Sequence, residues 1–316
     1  MRPSVSAIIP CKDRPRLLER ALSSIADQTV RPDEVIVVDD GSEPPLSLSQ
    51  SFPVPLTLIR QVNRGPGAAR NRAIAAAAGE WIAPLDSDDT WIPEKTEYQL
   101  DLLLSCSVAE FCVSNMTTHG RPAVEFPLDP GEGVTDGLVP DALERLLPGR
   151  FISTSGVMFT KSAFERAGCF DEGLWFCEDH DMWVRLAAVT PVVATTRRLN
   201  DVYREGHNLS DLEAHPIAGE IIASIFERQK DSPLFAPHIQ QRLARILGQK
   251  LYDLAYTYRK HGWPAACCWA SMRSLWNHGP VVANLKNFAF CGPDWLLRAL
   301  RTTEQEVTAP VTAMRN

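Results

Sequence analysis

The residues with the greatest capacity for chemistry in this 316-residue chain lie in WIAPLDSDDTWIPE, residues 81–94, where an apolar run ends in Asp86, Asp88 and Asp89. Hard carboxylate oxygens gathered in this way suit a Mg²⁺ or Mn²⁺ ion carrying a phosphate. Trp81 to Leu85 has the continuous apolar character of a strand covered on both faces. The acids then fall at its carboxyl end, the edge where open α/β sheets bind ligands. Acids after a strand also cap the following helix, here Pro93 to Cys106, and the cluster alone does not choose between the two roles. An EF-hand loop is excluded, because counting from Asp86 puts Trp91 where the turn requires glycine.

The elements upstream must deliver their side chains to the same edge. Val5 to Pro10 is a short apolar strand, and Pro15 to Asp27 carries apolar residues at 17, 18, 21, 22 and 25, the spacing of a helix. EVIVVDD is a second strand, ending in Asp39 and Asp40. Leu56 to Arg60 reads as a third, and NRGPGAARN as a glycine turn opening a helix. This β-α-β-α rhythm predicts a parallel sheet with right-handed crossovers, with Asp13, Asp39, Asp40, Arg70, Asn71, Asp86, Asp88 and Asp89 lining one crevice. The glycine turn is neither a phosphate loop nor a full dinucleotide fingerprint, since Arg70 stands at the third glycine position.

Residues 115–150 read as loops with one helix, 140–147, and 151–160 as a strand containing Gly156. LWFCEDHDMWVRLA, residues 174–187, has helical periodicity with Glu178, Asp179 and Asp181 at its start. Such carboxylates complement the helix dipole, and near a metal-bound phosphate one of them has the placement of a general base. Residues 191–196 suggest a further strand, followed by a polar loop with Tyr203, Arg204, His207, Asn208 and Ser210. From Leu212 the pattern becomes helical over 217–229, 239–258, 264–276 and 283–301, and Trp269, Met272, Leu275 and Trp276 form a packing stripe.

The hydrophobic fraction of 45% is ample for a core, and a net charge of -7 gives no electrostatic footprint for nucleic acid. Eight cysteines without a C-x-x-C pair indicate neither a zinc site nor a disulfide framework, so reduced cytosolic thiols are expected. The amino terminus lacks the hydrophobic region of a signal peptide, and no run reaches the roughly 18 to 20 apolar residues of a membrane span. The expectation is a cytoplasmic protein, with peripheral contact at the inner face of the membrane left open.

Six segments in order, SAIIPCKDR, VIVVDDGS, NRGPGAARN, LDSDD, TSGVMFTKSAFERAGCFDE and EDHDMWVRL, together resemble the inverting nucleotide-sugar glycosyltransferases of family 2. The resemblance implies a GT-A fold, a Rossmann-like, mostly parallel α/β sheet flanked by helices, with a helical C-terminal extension outside the family core. The implied organisation is a catalytic domain over 1–211, with a nucleotide half to about residue 115 and an acceptor half from about 116. A helical region over 212–302 and a tail over 303–316 follow. By resemblance, Asp13, Asp39 and Arg70 line the base and ribose with the backbone around Pro10, and Asp86 reaches the ribose. Asp88 is the principal ligand of Mg²⁺ or Mn²⁺, with Asp89 beside it, Asp179 is the catalytic base, and Gly156 and Glu178 face the acceptor. His207 reaches the diphosphate or the metal. The implied partners are a nucleotide-sugar donor, with a uridine bias, and a carbohydrate or lipid-linked acceptor in polysaccharide synthesis. Ala73 and His180 stand where many members have glycine and an aromatic residue. Two rival classes are a sugar-phosphate nucleotidyltransferase, disfavoured by the lack of glycines in CKDRPR, and a non-catalytic binding module, disfavoured by the presence of both DSDD and ED.

Overall fold

The computed structural model describes residues 2–48, 52–120, 122, 124–131, 134–203 and 216–291. The chain divides into two compact units, residues 1–206 and 207–316.

The first unit is a nine-stranded sheet between helices. β1 (Val5–Cys11), α1 (Pro15–Ala26), β2 (Glu34–Asp40), β3 (Leu56–Gln61), α2 (Pro66–Ala76) and β4 (Trp81–Pro84) follow the predicted alternation. β5 (Thr90–Trp91), α3 (Lys95–Ser105), β6 (Phe111–His119), β7 (Asp136–Leu138) and α4 (Ala142–Leu146) come next. β8 (Val157–Thr160), α5 (Lys161–Ala167), α6 (Glu178–Val189) and β9 (Val192–Tyr203) complete it. The order across the sheet is β3-β2-β1-β4-β8-β6-β9-β5, with β7 on β9. β3, β2, β1 and β4 are mutually parallel, whereas β8 runs antiparallel to both its neighbours, β4 and β6. The reversal at β8 matters for the site: its amino-terminal entry lies at the edge where the parallel strands end.

Apolar side chains of β1, β2 and β4 meet α1 and α3 in one core that includes Ile9, Leu18, Ile25, Val37, Trp81 and Leu100. An aromatic cluster sits around the fully buried Trp183 of α6, with Phe111, Phe159 and Phe170 at centroid distances of 5.8, 5.9 and 6.0 Å. Offset and edge contacts of this kind add to the burial of such large rings.

Three expectations need correction. The strand expected over 151–160 begins only at Val157, after a 3-10 turn at Thr154–Gly156. The region expected as loops from residue 115 carries the end of β6 and all of β7, and β9 continues to Tyr203, so Tyr203 is on a strand. These strands were hidden because polar Ser114, Asn115 and Asn200 interrupt the apolar pattern, and β6 and β9 shift register around Ser114 to Met116. The helix expected within 174–187, with Glu178 at its start, begins at Glu178.

The second unit holds α7 (Pro216–Lys230), α8 (Pro237–Lys260), α9 (Pro264–Trp276) and α10 (Val281–Cys291). α8 buries Ile239, Leu243, Leu247, Leu251, Leu254 and Tyr258 on one stripe. The buried face of α9 is Cys267, Cys268, Ala270, Ser271 and Ser274, rather than the expected tryptophan stripe, and Trp276 is 88% exposed. The small residues permit close approach: a Cβ on Gly248 of α8 would lie 2.2 Å from the Asn277 carbonyl. No helix among the described residues is long and apolar enough to cross a membrane.

Candidate active site

The loops leaving β1 and β2 are built on carboxylates. Asp13 adopts a left-handed backbone (φ 56°); its N–H donates to Ser42 Oγ at 2.9 Å, and its Oδ1 accepts from the Glu43 N–H at 2.8 Å. Asp39 is buried, with Oδ1 accepting from the Ser42 N–H at 2.8 Å and Oδ2 from the Leu46 N–H at 3.1 Å. Burial alone would raise this carboxyl, but the bonds from Ser42 and Leu46 and the charge of Arg60 outweigh it and hold Asp39 below its ordinary range. Asp40 does the same for the glycine turn: it accepts from the N–H groups of Arg64 and Gly65 at 2.9 and 2.8 Å. The turn is thereby fixed where Pro66 starts α2.

α2 is clasped to the segment before α6. Asn71 and Phe170 exchange two hydrogen bonds, each 2.9 Å, and Arg64 pairs with Glu172. Arg70, 4% exposed, donates from Nη1 to Glu178 Oε1 at 2.6 Å and from Nη2 to Asp86 Oδ1 at 2.7 Å. Burial disfavours the guanidinium charge, yet Asp86 and Glu178 more than offset that and hold its pKa above the ordinary value. Burial pushes Glu178 up to about 7, with Arg70 pulling it down and Asp179 pushing it further up. Arg70 thus ties the acids after β4 to the first turn of α6. With both terminal nitrogens engaged and almost no exposure, it is placed as an internal counter-ion rather than as a wall of the base pocket.

Asp86 and Asp88 are the accessible members of the acid run, with side chains 32% and 21% exposed. Asp88 Oδ2 pairs with Arg14 Nη1 at 2.5 Å, and its backbone carbonyl accepts from Arg20 Nη2 at 2.6 Å. Burial and the neighbouring charge of Asp86 raise the Asp88 carboxyl against the pull of Arg14. Asp89 is 4% exposed; its Oδ2 accepts from Ser155 Oγ at 2.6 Å and its Oδ1 from the Tyr203 N–H at 3.3 Å. Burial, then the charges of Asp86 and Asp88, raise it well above its ordinary value. Among the described residues no three His, Cys, Asp or Glu side chains converge as a metal-binding group. The set still suits a cation that arrives with its own phosphate oxygens, since Mg²⁺ is commonly held by one or two carboxylates plus substrate phosphates. Asp86 and Asp88 fit that demand, being close enough to repel each other, whereas Asp89 is turned inward.

The 3-10 turn before β8 is anchored from below. The carbonyl of Ser155 accepts from Trp91 Nε1 at 3.0 Å, that of Gly156 from Gln99 Nε2 at 2.8 Å, and that of Val157 from Lys95 Nζ at 3.3 Å. Lys95 is fully buried over the Trp91 ring, 4.3 Å from its centroid, and burial lowers it to about 7. Ser155 Oγ also accepts from the Asp86 N–H at 3.1 Å, and Thr154 Oγ1 lies 3.3 Å from Asp179 Oδ2. Gly156 is buried, and a Cβ there would meet Asn200 Oδ1 at 2.9 Å. Gly156 and Glu178, expected to face the acceptor, are instead packed or ion-paired inside. Asp179, half-buried, is the member of the ED pair left toward solvent. Pro10 is half-buried at the end of β1, and His207 lies outside the described residues.

Sequence reasoning missed Arg14, Ser42, Lys95, Gln99, Thr154 and Ser155. Arg14, Ser42, Thr154 and Ser155 lie within quoted motifs, whereas only proximity reveals Lys95 and Gln99.

Residues 6–122 match the family described as Glycosyl transferase family 2. Over that span the chain is similar to glycosyltransferase family 2. It is 29% identical to an uncharacterized glycosyltransferase of Haemophilus influenzae over 58% of this chain and 61% of that one, so the match spans about three fifths of the relative's length. It is 39% identical over 98 residues to the succinoglycan biosynthesis protein ExoW of Rhizobium meliloti, covering 28% of this chain and 31% of that one. The S. aureus TarS 1–349 structure in complex with UDP-GlcNAc superposes with a TM-score of 0.67 at 17% identity, covering 93% of this chain and 92% of that one. The likeness is one of fold, and it makes the sheet of the first unit a GT-A sheet.

Proposed function

We propose that the chain transfers a sugar from a nucleoside diphosphate sugar, with UDP-sugars foremost, to a hydroxyl of a carbohydrate or lipid-linked acceptor. The reaction inverts the anomeric carbon and depends on a divalent cation. The Arg70 bridge carries this reading: it draws the acids after β4 and the start of α6 into one crevice, so cation-holding carboxylates and a solvent-facing carboxylate share a site. The match of residues 6–122 to family 2 and the UDP-GlcNAc complex of TarS support a nucleotide-sugar donor, and the name of ExoW supports a role in surface or extracellular polysaccharide synthesis.

In this reading Asp179 takes the proton of the acceptor hydroxyl, whose oxygen attacks the anomeric carbon while the bond to the diphosphate oxygen breaks. Helix α6 presents that carboxylate in its first turn. Its Oδ1 accepts the His180 N–H at 2.7 Å, and Thr154 limits the rotation of its other oxygen. Asp13, the backbone at Pro10 and the Asp39-bound loop from Ser42 shape the base pocket. Asp86 and Asp88 would hold the cation, and Asp89 holds their turn to Ser155 and Tyr203. When bound there, Mg²⁺ or Mn²⁺ offsets the negative charge that develops on the departing diphosphate.

Donor and acceptor panels test the proposal, with nucleoside diphosphate release and the anomeric coupling of the product as readouts. An inverted product and loss of turnover in EDTA are expected. Asp179→Asn should lower kcat by about 10²- to 10⁴-fold, the usual worth of a positioned base, with nucleotide affinity little changed. Turnover retained in that variant would remove Asp179 from the role.

A further inference from the structure

Besides Arg70, which pairs with Asp86, two arginines of the first unit reach the Asp86–Asp89 turn, and they do different work. Arg20 donates to the backbone carbonyl of Asp88 at 2.6 Å, and its guanidinium lies over the Tyr203 ring, 3.9 Å from the centroid. It fixes the course of the chain. The Arg14 guanidinium bonds the Asp88 carboxylate, at 2.5 Å, from the loop between β1 and α1, and its side chain is 36% exposed, while its backbone carbonyl accepts from the Leu18 N–H of α1. Breaking the Arg14 contact therefore leaves the turn held by Arg20, and also by the bonds from Ser155 and Tyr203 to Asp89. The Asp88 carboxylate can exchange its counter-ion without the backbone moving.

We propose that Arg14 is an exchangeable counter-ion of Asp88, which yields the carboxylate to the divalent cation and passes to the donor's diphosphate. The proposal rests on the donor-site reading above. Without a bound cation, Asp88 faces the repulsion of Asp86, and Arg14 relieves it. A cation arriving alone must displace that guanidinium. One arriving with a nucleoside diphosphate brings an alternative anion for Arg14, to which a planar guanidinium is well matched. Cation and nucleotide then favour each other, and linkage requires the effect to be equal in both directions. The loop position of Arg14 also explains why a positive charge sits beside a carboxylate expected to hold metal.

Calorimetric titration of Mn²⁺ alone, and of Mn²⁺ with whichever of UDP, GDP, dTDP or CDP binds wild type most tightly, tests this in full-length wild type, Arg14→Gln and Asp88→Asn. Arg14→Gln should bind Mn²⁺ alone about twofold to fivefold tighter than wild type, the range that an ion pair of this exposure spans. The enhancement of Mn²⁺ affinity by the nucleotide should fall by a similar factor, and Asp88→Asn should bind Mn²⁺ poorly in either state. Arg14→Lys, which keeps charge but loses the planar fork, should fall between wild type and Arg14→Gln, and serves if the glutamine variant does not fold. Unchanged or weaker Mn²⁺ binding by Arg14→Gln, with wild type binding both ligands, would overturn the exchange and leave the donor site standing. Wild type that binds neither ligand would overturn the donor-site reading, and the exchange with it.

Discussion

At the scale of single residues, the least expected feature is Arg70. The family resemblance implied that it lines the base and ribose. Its actual partners lie 16 and 108 residues away, and no local spacing reveals that both would be acids. Arg70→Met leaves Glu178 buried and unpaired and should cost about 3–5 kcal/mol in urea unfolding. Combining it with Glu178→Gln should recover much of the loss. Glu178 makes a pH prediction as well. Its folded-state pKa of about 7 lies above its ordinary 4.5, so the protonated form is favoured on folding. Stability from this group is full below about pH 4.5 and is lost as the pH rises through 7. The stability of Glu178→Gln relative to wild type should therefore increase over that interval in denaturant melts. The acid cluster itself was legible, because the apolar run before it fixes the strand and the strand fixes the edge. The inward turn of Asp89 was not, since it depends on Ser155, 66 residues on.

Among the elements, the strands with long apolar runs, β1, β2 and β4, could be read directly, whereas the ends of β6 and β9 were hidden by buried polar positions such as Ser114 and Asn200. Ser114 of β6 is such a position: its hydroxyl donates to the Gly156 carbonyl at 3.0 Å, so a polar residue is needed inside the sheet. Helix α3 has a similar hidden task. Lys95 and Gln99, one turn apart, hold each other at 2.7 Å and bond to the turn before β8, at a position a helical pattern would assign to an apolar residue. The folded pKa of Lys95, about 7, lies below its ordinary 10.5. Its contribution is thus full above about 10.5 and is lost as the pH falls through 7. Wild type should gain stability relative to Lys95→Met between pH 7 and 9, measured as the difference between two urea midpoints. A constant difference would mean that the ammonium is not desolvated as its burial implies.

For the whole molecule, ligand binding and folding are one equilibrium. A nucleotide that binds only the native state at a hundredfold excess over its dissociation constant adds about 2.7 kcal/mol, enough to raise the melting temperature by several degrees. UDP with Mn²⁺ should produce that shift in wild type, EDTA should diminish it, and Asp88→Asn should lose the part that depends on Mn²⁺. The helices of the second unit were legible from the change to helical periodicity after Leu212, whereas their packing was not, because α9 buries small residues and leaves its large ones outward. The Arg70 bridge also bears on how the polypeptide is made. The segment that supplies Asp40, Arg70 and Asp86 leaves the ribosome well before Glu178, and at about 5–20 residues per second that interval lasts several seconds. Until Glu178 emerges, a cation destined for the interior has only one of its two counter-charges, so burying it then would be costly. The nascent amino-terminal half should therefore keep the face that bears Arg70 open to solvent, and to chaperones, until α6 has been synthesised.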